Sequence, residues 1–276
     1  MRILLTAALT AAIVVPAQAA PTNVSAVQST IKYNNTPTGP QYFSPYARVT
    51  SVVVYDPVTD TYTLRDTGSP SIKSTFAPAN IDGAASNATF TVYKKTSGST
   101  TETFRLLNKS PTNPLIALTY VTYGQWRRST GSGSTSSVND TYLVFGQRTA
   151  GANVPRTGSG NYSTVLDGTF VNSAGVYAVS GTGNFTANFG SGTIAYDATA
   201  TGAREGGGTG IVFGTMTGSG AIAFNSASFS GTGGFNGSGY ALDLAGNFYG
   251  PAAEEVGGTF RIRGNRGNGT GAFVGN

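Results

Sequence analysis

Short runs of alternating apolar and polar residues, separated by turn-forming residues, dominate the N-terminal half of the chain. Residues 48–55 and 61–65 alternate on either side of an Asp-Pro-containing turn, and residues 89–95 and 101–107 flank a Ser-Gly-Ser turn. Both patterns predict β-hairpins, which would form a small N-terminal sheet. Residues 21–45 contain the breaker sequence Thr-Pro-Thr-Gly-Pro and are predicted to be an irregular entry segment.

The second half of the chain shows a more regular strand pattern. Residues 115–128 and 141–148 predict two strands around a Ser/Gly-rich loop at 129–139. From residue 158 onward, short candidate strands alternate with glycine-containing turns: 160–169, 176–184, 186–195, 210–215, 220–225, 228–234, 240–248, 257–263 and 271–275. This regular spacing is typical of a meander barrel or a sandwich.

Aromatic residues recur at positions that would fill the interior of such a barrel. The set is Tyr162, Phe170, Phe185, Phe189, Phe213, Phe224, Phe229, Phe235, Phe248, Phe260 and Phe273. An outer-membrane barrel would instead need an apolar lipid-facing band on strands of about ten residues. The candidate strands are short and rich in Gly, Ser and Thr on both faces, so we expect a soluble barrel and not an integral membrane protein.

The N-terminus has the features of a cleavable export signal. Arg2 precedes the apolar run 3–15, and Ala17-Gln18-Ala19 forms a small-x-small cleavage site after Pro16. The run is shorter than the ~20 residues that span a bilayer. We therefore expect cleavage after Ala19, and export to the periplasm, the cell surface or the medium.

Composition excludes several kinds of chemistry. The chain contains no Cys and no His, so disulfides, thiolate or imidazole metal sites and Ser-His or Cys-His catalytic units are ruled out. Without Cys there is also no attachment point for a lipoprotein anchor, and we expect a non-lipidated protein. We predict neither a metal nor a cofactor.

Charge and glycine content differ between the two halves. Residues 21–159 carry 12 Lys and Arg against 6 Asp and Glu, whereas residues 160–276 carry 4 Arg against 6 acids. The basic residues are scattered, which argues against nucleic-acid binding. The last 126 residues hold 31 of the 39 Gly and no Lys, so composition alone suggests two structural regions that meet near residue 150.

The C-terminal segment contains the most specific motif. Residues 244–260 read LAGNFYGPAAEEVGGTF, and 271–275 read GAFVG. Pro251 suits the first position of a short turn or helix, with Glu254 and Glu255 following it and Gly257 and Gly258 returning the chain to the sheet. The motif is predicted to cap one end of the barrel. A catalytic pair of Glu254 and Glu255 is the less favoured alternative, because sequence neighbours point in different directions and no third group is evident.

This motif resembles the closing strands of the barrel domain in the transferrin-binding protein B family, whose relatives include factor H binding protein and haemophilin-type haemophores. Residues 118–126, 145–149 and 154–162 resemble the opening strands of that barrel. The resemblance covers about residues 115–276 and implies an all-β fold: a soluble antiparallel C-terminal barrel of about eight strands with a smaller N-terminal β handle domain. It divides the chain into a signal peptide at 1–19, a handle-like region at 20–114 and the barrel at 115–276.

The resemblance also implies a non-enzymatic binding protein. Its partner would be a host or environmental protein or a small solute, with haem or iron among the candidates, and an outer-membrane export translocon is a further possible partner. Haem would need a tyrosine ligand or none, because Met216 is the only methionine after the signal and lies in a predicted strand.

Four residues form the candidate contact surface: Tyr42, Phe43, Tyr46 and Arg48. Aromatic rings beside a cation are typical of protein contact sites. The alternative is that they pack the handle against the barrel. Two other functions stay open at this point: a structural or adhesive surface protein, and an enzyme that would use Asp167, Asp197 or Asp243.

Overall fold

The computed structural model describes residues 22–66, 72–132, 135–236 and 239–276, and the predicted signal peptide lies outside these ranges. Seventeen strands form two antiparallel units in the described chain. The N-terminal unit, called the handle below, contains β1 (Thr22–Asn35), β2 (Gln41–Tyr42), β3 (Tyr46–Asp56), β4 (Thr61–Asp66), β5 (Ile72–Phe76), β6 (Phe90–Ser97), β7 (Thr100–Leu107), β8 (Val121–Ser132) and β9 (Thr135–Gly146).

The C-terminal unit is a closed eight-stranded barrel. Its strands are β10 (Ser159–Asn172), β11 (Gly175–Asn188), β12 (Thr193–Arg204), β13 (Ile211–Ile222), β14 (Ser228–Phe235), β15 (Ala241–Tyr249), β16 (Glu255–Gly264) and β17 (Gly267–Gly275). Each strand pairs with the next, and β17 pairs back onto β10, with Phe273 opposite Leu166. The expected all-β fold with a C-terminal barrel of eight strands and an N-terminal β unit is therefore confirmed.

The handle sheet has the order β5-β4-β3-β1-β9-β8-β7-β6, with β2 beside β1. It curls so that its two edges meet: the Lys95 ammonium of β6 donates to the Thr75 carbonyl of β5 at 2.8 Å, and the Ser74 hydroxyl donates to Glu102 at 2.8 Å. The side chains inside the curl form an apolar core that includes Phe76, Tyr93, Phe104 and Trp126. Both predicted hairpins, β3–β4 and β6–β7, are present.

Strand β1 corrects the prediction for residues 21–45. Instead of an irregular entry, residues 22–35 form a fourteen-residue strand at the centre of the handle, paired with β3 on one side and β9 on the other. The turn-forming residues end this strand after Asn35, and they do not prevent it. The predicted loop at 129–139 is likewise mostly strand, because β8 runs to Ser132 and β9 begins at Thr135.

The strands expected to open the barrel belong to the handle. Strand β8 pairs with β7 and β9, and β9 pairs with β1, so the barrel begins at Ser159 rather than near residue 115. The barrel also has eight strands where nine segments were predicted, because 210–215 and 220–225 are parts of one strand, β13. The predicted segment 186–195 spans the turn between β11 and β12.

Candidate binding surfaces and the handle–barrel joint

Aromatic side chains fill the barrel interior, as the sequence pattern predicts. Phe185 lies at its centre, 4.7 Å from Phe229 and 6.0 Å from Phe273 between ring centroids. These rings, together with Tyr196 and Phe248, are at most 3% exposed. Phe224 is the exception among the predicted core aromatics: it lies in the turn between β13 and β14 and is 89% exposed. The interior of the barrel is therefore filled by side chains.

The predicted contact residues lie at the end of the handle that adjoins the barrel. Tyr42 is in the two-residue strand β2, opposite Tyr33 of β1. Its ring packs against an apolar cluster that joins handle and barrel, formed by Ile31, Tyr33, Val138, Val171 and Val176. For Tyr42 the structure therefore matches the alternative role, packing between the two units.

The remaining members of that set differ in exposure. Phe43 is 52% exposed, while its backbone N–H donates to the Lys32 carbonyl at 3.0 Å. Tyr46 begins β3, with the Lys32 ammonium 5.5 Å from its ring centroid. Arg48 lies further along β3, and its side chain is outside the part of the chain whose side chains the structure describes. Phe43 thus has an exposed ring, and its backbone is hydrogen-bonded to Lys32, the cation of that cation–aromatic pair.

A buried carboxylate fixes the barrel to the handle. Glu255, at the start of β16, accepts hydrogen bonds from the backbone N–H groups of Thr119 at 2.6 Å, Tyr120 at 2.8 Å and Val121 at 2.8 Å. Its side chain is 5% exposed. Neighbouring Glu254 is exposed and accepts only from the Ala252 N–H among the described residues, at 2.8 Å. The C-terminal motif therefore does more than cap the barrel, because Glu255 holds the start of β8 in place.

A second polar contact lies further along the same joint. Asp140 of β9 is fully buried and accepts from the Arg127 guanidinium at 2.7 Å and from the Thr169 hydroxyl of the barrel at 2.8 Å. Arg127 also forms an ion pair at 2.7 Å with Glu205, the residue directly after β12. A chain of hydrogen-bonded charges thus crosses from handle to barrel, and each buried charge in it is paired.

Asp167 occupies a comparable position on β10. It pairs with Arg105 and accepts from the Tyr123 hydroxyl at 2.9 Å. Burial raises the pKa of Asp167 above its ordinary value, and the neighbouring Arg105 cation only partly opposes this. A perturbed carboxyl is a usual sign of an active site. Here burial between the two units raises the pKa, and both hydrogen-bonding partners of Asp167, Arg105 and Tyr123, are residues of the handle.

The other candidate catalytic acids are spread over the barrel. Asp197 is exposed on β12, and Asp243 of β15 pairs with Arg263 at 2.8 Å and with Arg261 at 3.4 Å. No group of three or more Asp and Glu that could hold a metal is found among the described residues. Within the same ranges, no helix is long and apolar enough to cross a membrane.

The fold and the joint together define a class of protein: a curled β handle fixed to a closed, solid eight-stranded barrel. Solved structures of transferrin-binding protein B have this fold. A tyrosine-and-tryptophan double mutant of the protein from Haemophilus parasuis Hp5 superposes with a TM-score of 0.53 at 16% identity, over 90% of this chain and 44% of that one. A single mutant from the same strain gives 0.51 at 14% identity, over 91% and 45%.

Intact Ap-TbpB, with its N and C lobes, gives a TM-score of 0.50 at 16% identity, over 90% of this chain and 45% of that one. The chain therefore spans less than half the length of these proteins. No protein-family model and no curated protein matches it. At this identity the likeness is one of fold: the chain has a transferrin-binding protein B-like fold.

Proposed function

We propose that the chain is an exported, non-enzymatic binding protein of the bacterial envelope, which captures a protein or a small solute on its outer surface. The observation that carries this proposal is the solid barrel. Its interior is packed with aromatic rings, so the barrel serves as a rigid support and not as a ligand container. The transferrin-binding protein B-like fold supports a host or environmental protein as the partner.

Export is part of the same proposal. Arg2, the apolar run 3–15 and the Ala17-Gln18-Ala19 site support a cleaved signal, after which the protein would reside in the periplasm, at the cell surface or outside the cell. Passage through an outer-membrane translocon would be needed for the last two locations. Mass spectrometry of the protein from an expressing bacterium should find Ala20 at the N-terminus.

The topology of the two units supports a different domain boundary. Strands β8 and β9 pair within the handle, and the barrel starts at β10. We place the boundary in the connection 147–158, close to the change in glycine content, and not at residue 115.

The proposed contact surface is the exposed face around Phe43, to which we assign Tyr46 and Arg48 as well, with the partly buried Tyr42 as its support. An exposed ring next to a cation is suited to contact a partner protein, and such aromatic residues often dominate binding energy. Tyr42 would contribute to this surface by packing against the apolar cluster of the joint and so holding the β2 segment in position.

Surface-based binding assays would test the proposal. The chain 20–276 is immobilised and exposed to haemin, haemoglobin and transferrin. For any of these that binds, the affinity of the unmodified chain is compared with that of Phe43→Ala. Loss of a central aromatic contact should weaken binding by about tenfold or more. Phe224→Ala is the matched control, because Phe224 is also an exposed ring but lies in the turn between β13 and β14 of the barrel.

Equal affinity of Phe43→Ala and the unmodified chain would remove this surface from the proposal. A structural or adhesive role is the second candidate function, and it predicts self-assembly through open strand edges. The barrel is closed and the β5 and β6 edges of the handle face each other, so we expect sedimentation to show a monomer. Concentration-dependent assembly would favour the structural role instead.

A further inference from the structure

The open end of the handle contains a pocket that the proposed contact surface does not use. It lies where the β3–β4 turn meets the first residues of β1 and the last residues of β7 and β9. Its volume is about 790 Å³. This is within the range of roughly 300–1,000 Å³ that is usual for small-molecule sites. We call it the handle pocket.

The inner wall of the handle pocket is apolar and aromatic. Val24, Leu106 and Phe145 line it together with Tyr62 and Tyr93. The Tyr62 ring lies 6.0 Å from that of Tyr93 and 4.8 Å from that of Tyr55, so the tyrosines form one continuous aromatic wall. Since most of these side chains also belong to the handle core, the wall is held by packing before any ligand arrives.

Two phenol groups of this wall have hydroxyl oxygens that the protein does not fully enclose and that can donate a hydrogen bond to a ligand. Tyr93 is 3% exposed, and neither its hydroxyl nor that of Tyr62 has a hydrogen-bond partner among the described residues. Burial raises the pKa of Tyr93 to about 12 and raises that of Tyr62 as well. Both hydroxyls therefore keep their protons near neutral pH. Each can donate a hydrogen bond to an oxygen anion.

The rim adds a cation to these donors. Lys109 lines the handle pocket, is exposed, and forms neither an ion pair nor a hydrogen bond within the described ranges. Arg148 is a second cation of the rim, although its guanidinium donates to the Ser226 hydroxyl at 3.0 Å. The one acid of the lining, Asp60, accepts from the Tyr55 hydroxyl at 3.1 Å. The charge at the rim is thus positive overall.

We propose that the handle pocket binds a small amphipathic organic anion. Its aromatic or branched apolar body would lie against Tyr62, Tyr93 and Leu106, and its carboxylate or sulfonate would face Lys109 and the tyrosine hydroxyls. An uncharged apolar molecule would pack against the aromatic wall but would leave the tyrosine hydroxyls and Lys109 without an acceptor. For this reason the anionic group is part of the proposal. This site is independent of the Phe43 surface, and either can fail without the other.

Fluorescent probes test the site directly on the folded chain. Anilinonaphthalene sulfonate is an aromatic anion, and N-phenylnaphthylamine is its uncharged counterpart. We expect saturable enhancement of the anionic dye with one site per chain and weaker binding of the neutral dye. Added salt should weaken binding of the anionic dye, because its contact with Lys109 is exposed to solvent.

Two conservative variants assign the binding to this pocket. Lys109→Ala should weaken binding of the anionic dye about threefold and reduce the salt dependence of that binding. Tyr93→Phe, which deletes one hydroxyl and keeps the ring, should weaken it about fivefold and leave the neutral dye unchanged. Lys94→Ala is the matched control, since Lys94 is an exposed lysine of β6 outside the pocket lining, and it should leave both dyes unaffected.

Three results would overturn the proposal. These are the absence of dye enhancement in chain that circular dichroism shows to be folded, equal affinity for the two dyes, and unchanged anion binding in both Lys109→Ala and Tyr93→Phe. The last result would place the dye at another apolar patch. If the chain's own N-terminal residues occupied the pocket, the dye would also show no enhancement. That result would contradict the proposal, because the pocket would not be open to a ligand.

Discussion

At the scale of single residues, Glu255 makes the contact on which the joint depends most directly. Its two carboxylate oxygens accept hydrogen bonds from three consecutive backbone N–H groups, at 119–121, and Glu255 is only 5% exposed. Glu255→Ala would leave these three donors without their acceptor, and the donor of Val121 is buried. We expect the free energy of unfolding to fall by about 3 kcal/mol, measured by urea denaturation.

Glu254→Ala is the matched control for that substitution, because it removes the adjacent carboxylate from an exposed site. It should cost less than about 1 kcal/mol. Glu255→Gln should fall between the two, since the amide keeps one acceptor oxygen but turns its NH₂ group toward a backbone donor. Similar stabilities for Glu255→Ala and Glu254→Ala would mean that water replaces the carboxylate and that the anchor is not needed.

At the scale of strands, β13 and β14 approach each other closely because glycines face one another across the pair. Gly218 pairs with Gly233, and Gly220 with Gly231. A methyl group added at Gly233 would lie 1.8 Å from the Thr217 carbonyl oxygen. Gly233→Ala should therefore force the strands apart and lower the free energy of unfolding by about 2 kcal/mol, measured by thermal denaturation.

Gly83→Ala provides the comparison, since nothing lies within 4 Å of its added methyl group. There we expect a change within about 1 kcal/mol, because only the entropy of the unfolded chain is affected. If Gly233→Ala were as stable as Gly83→Ala, the close approach of β13 and β14 would not be a constraint on the barrel.

The strands also show what the sequence could and could not predict. Alternation and glycine turns were sufficient for the β6–β7 hairpin and for most of the barrel, because these strands pair with their sequence neighbours. Strand β1 was missed: its residues are largely polar, and it pairs with β9 more than a hundred residues away. Periodicity identifies a strand but does not say which strand lies beside it.

The same limit explains the misplaced barrel boundary. Residues 121–126 have the apolar alternation of a barrel strand, and β8 does contact the barrel through Val121 and Tyr123, but its hydrogen-bonded partners are in the handle. The glycine distribution, which changes near residue 150, was the better guide. The roles of Glu255 and Tyr93 depend on residues distant in sequence, so no local pattern could reveal them.

At the scale of the whole molecule, the joint should make handle and barrel unfold as one unit. Apolar clusters, the Glu255 anchor and the buried Asp140 contact all connect them, and a large, partly apolar interface of this kind couples domains. The chain has a single tryptophan, Trp126, in the handle core, so its fluorescence reports on the handle alone, whereas far-UV circular dichroism reports on both units.

Phe260→Ala tests this coupling, because the substitution lies in the barrel and Trp126 lies in the handle. Phe260 lies in the barrel interior and is 1% exposed, so its truncation should lower stability by about 3–5 kcal/mol. If the units unfold together, the urea midpoints from Trp126 fluorescence and circular dichroism should fall by the same amount. Phe224→Ala, at an 89% exposed site, should move neither midpoint. A lower circular dichroism midpoint with an unchanged Trp126 midpoint would show instead that the handle folds independently, in which case the joint orients the two units without stabilising them.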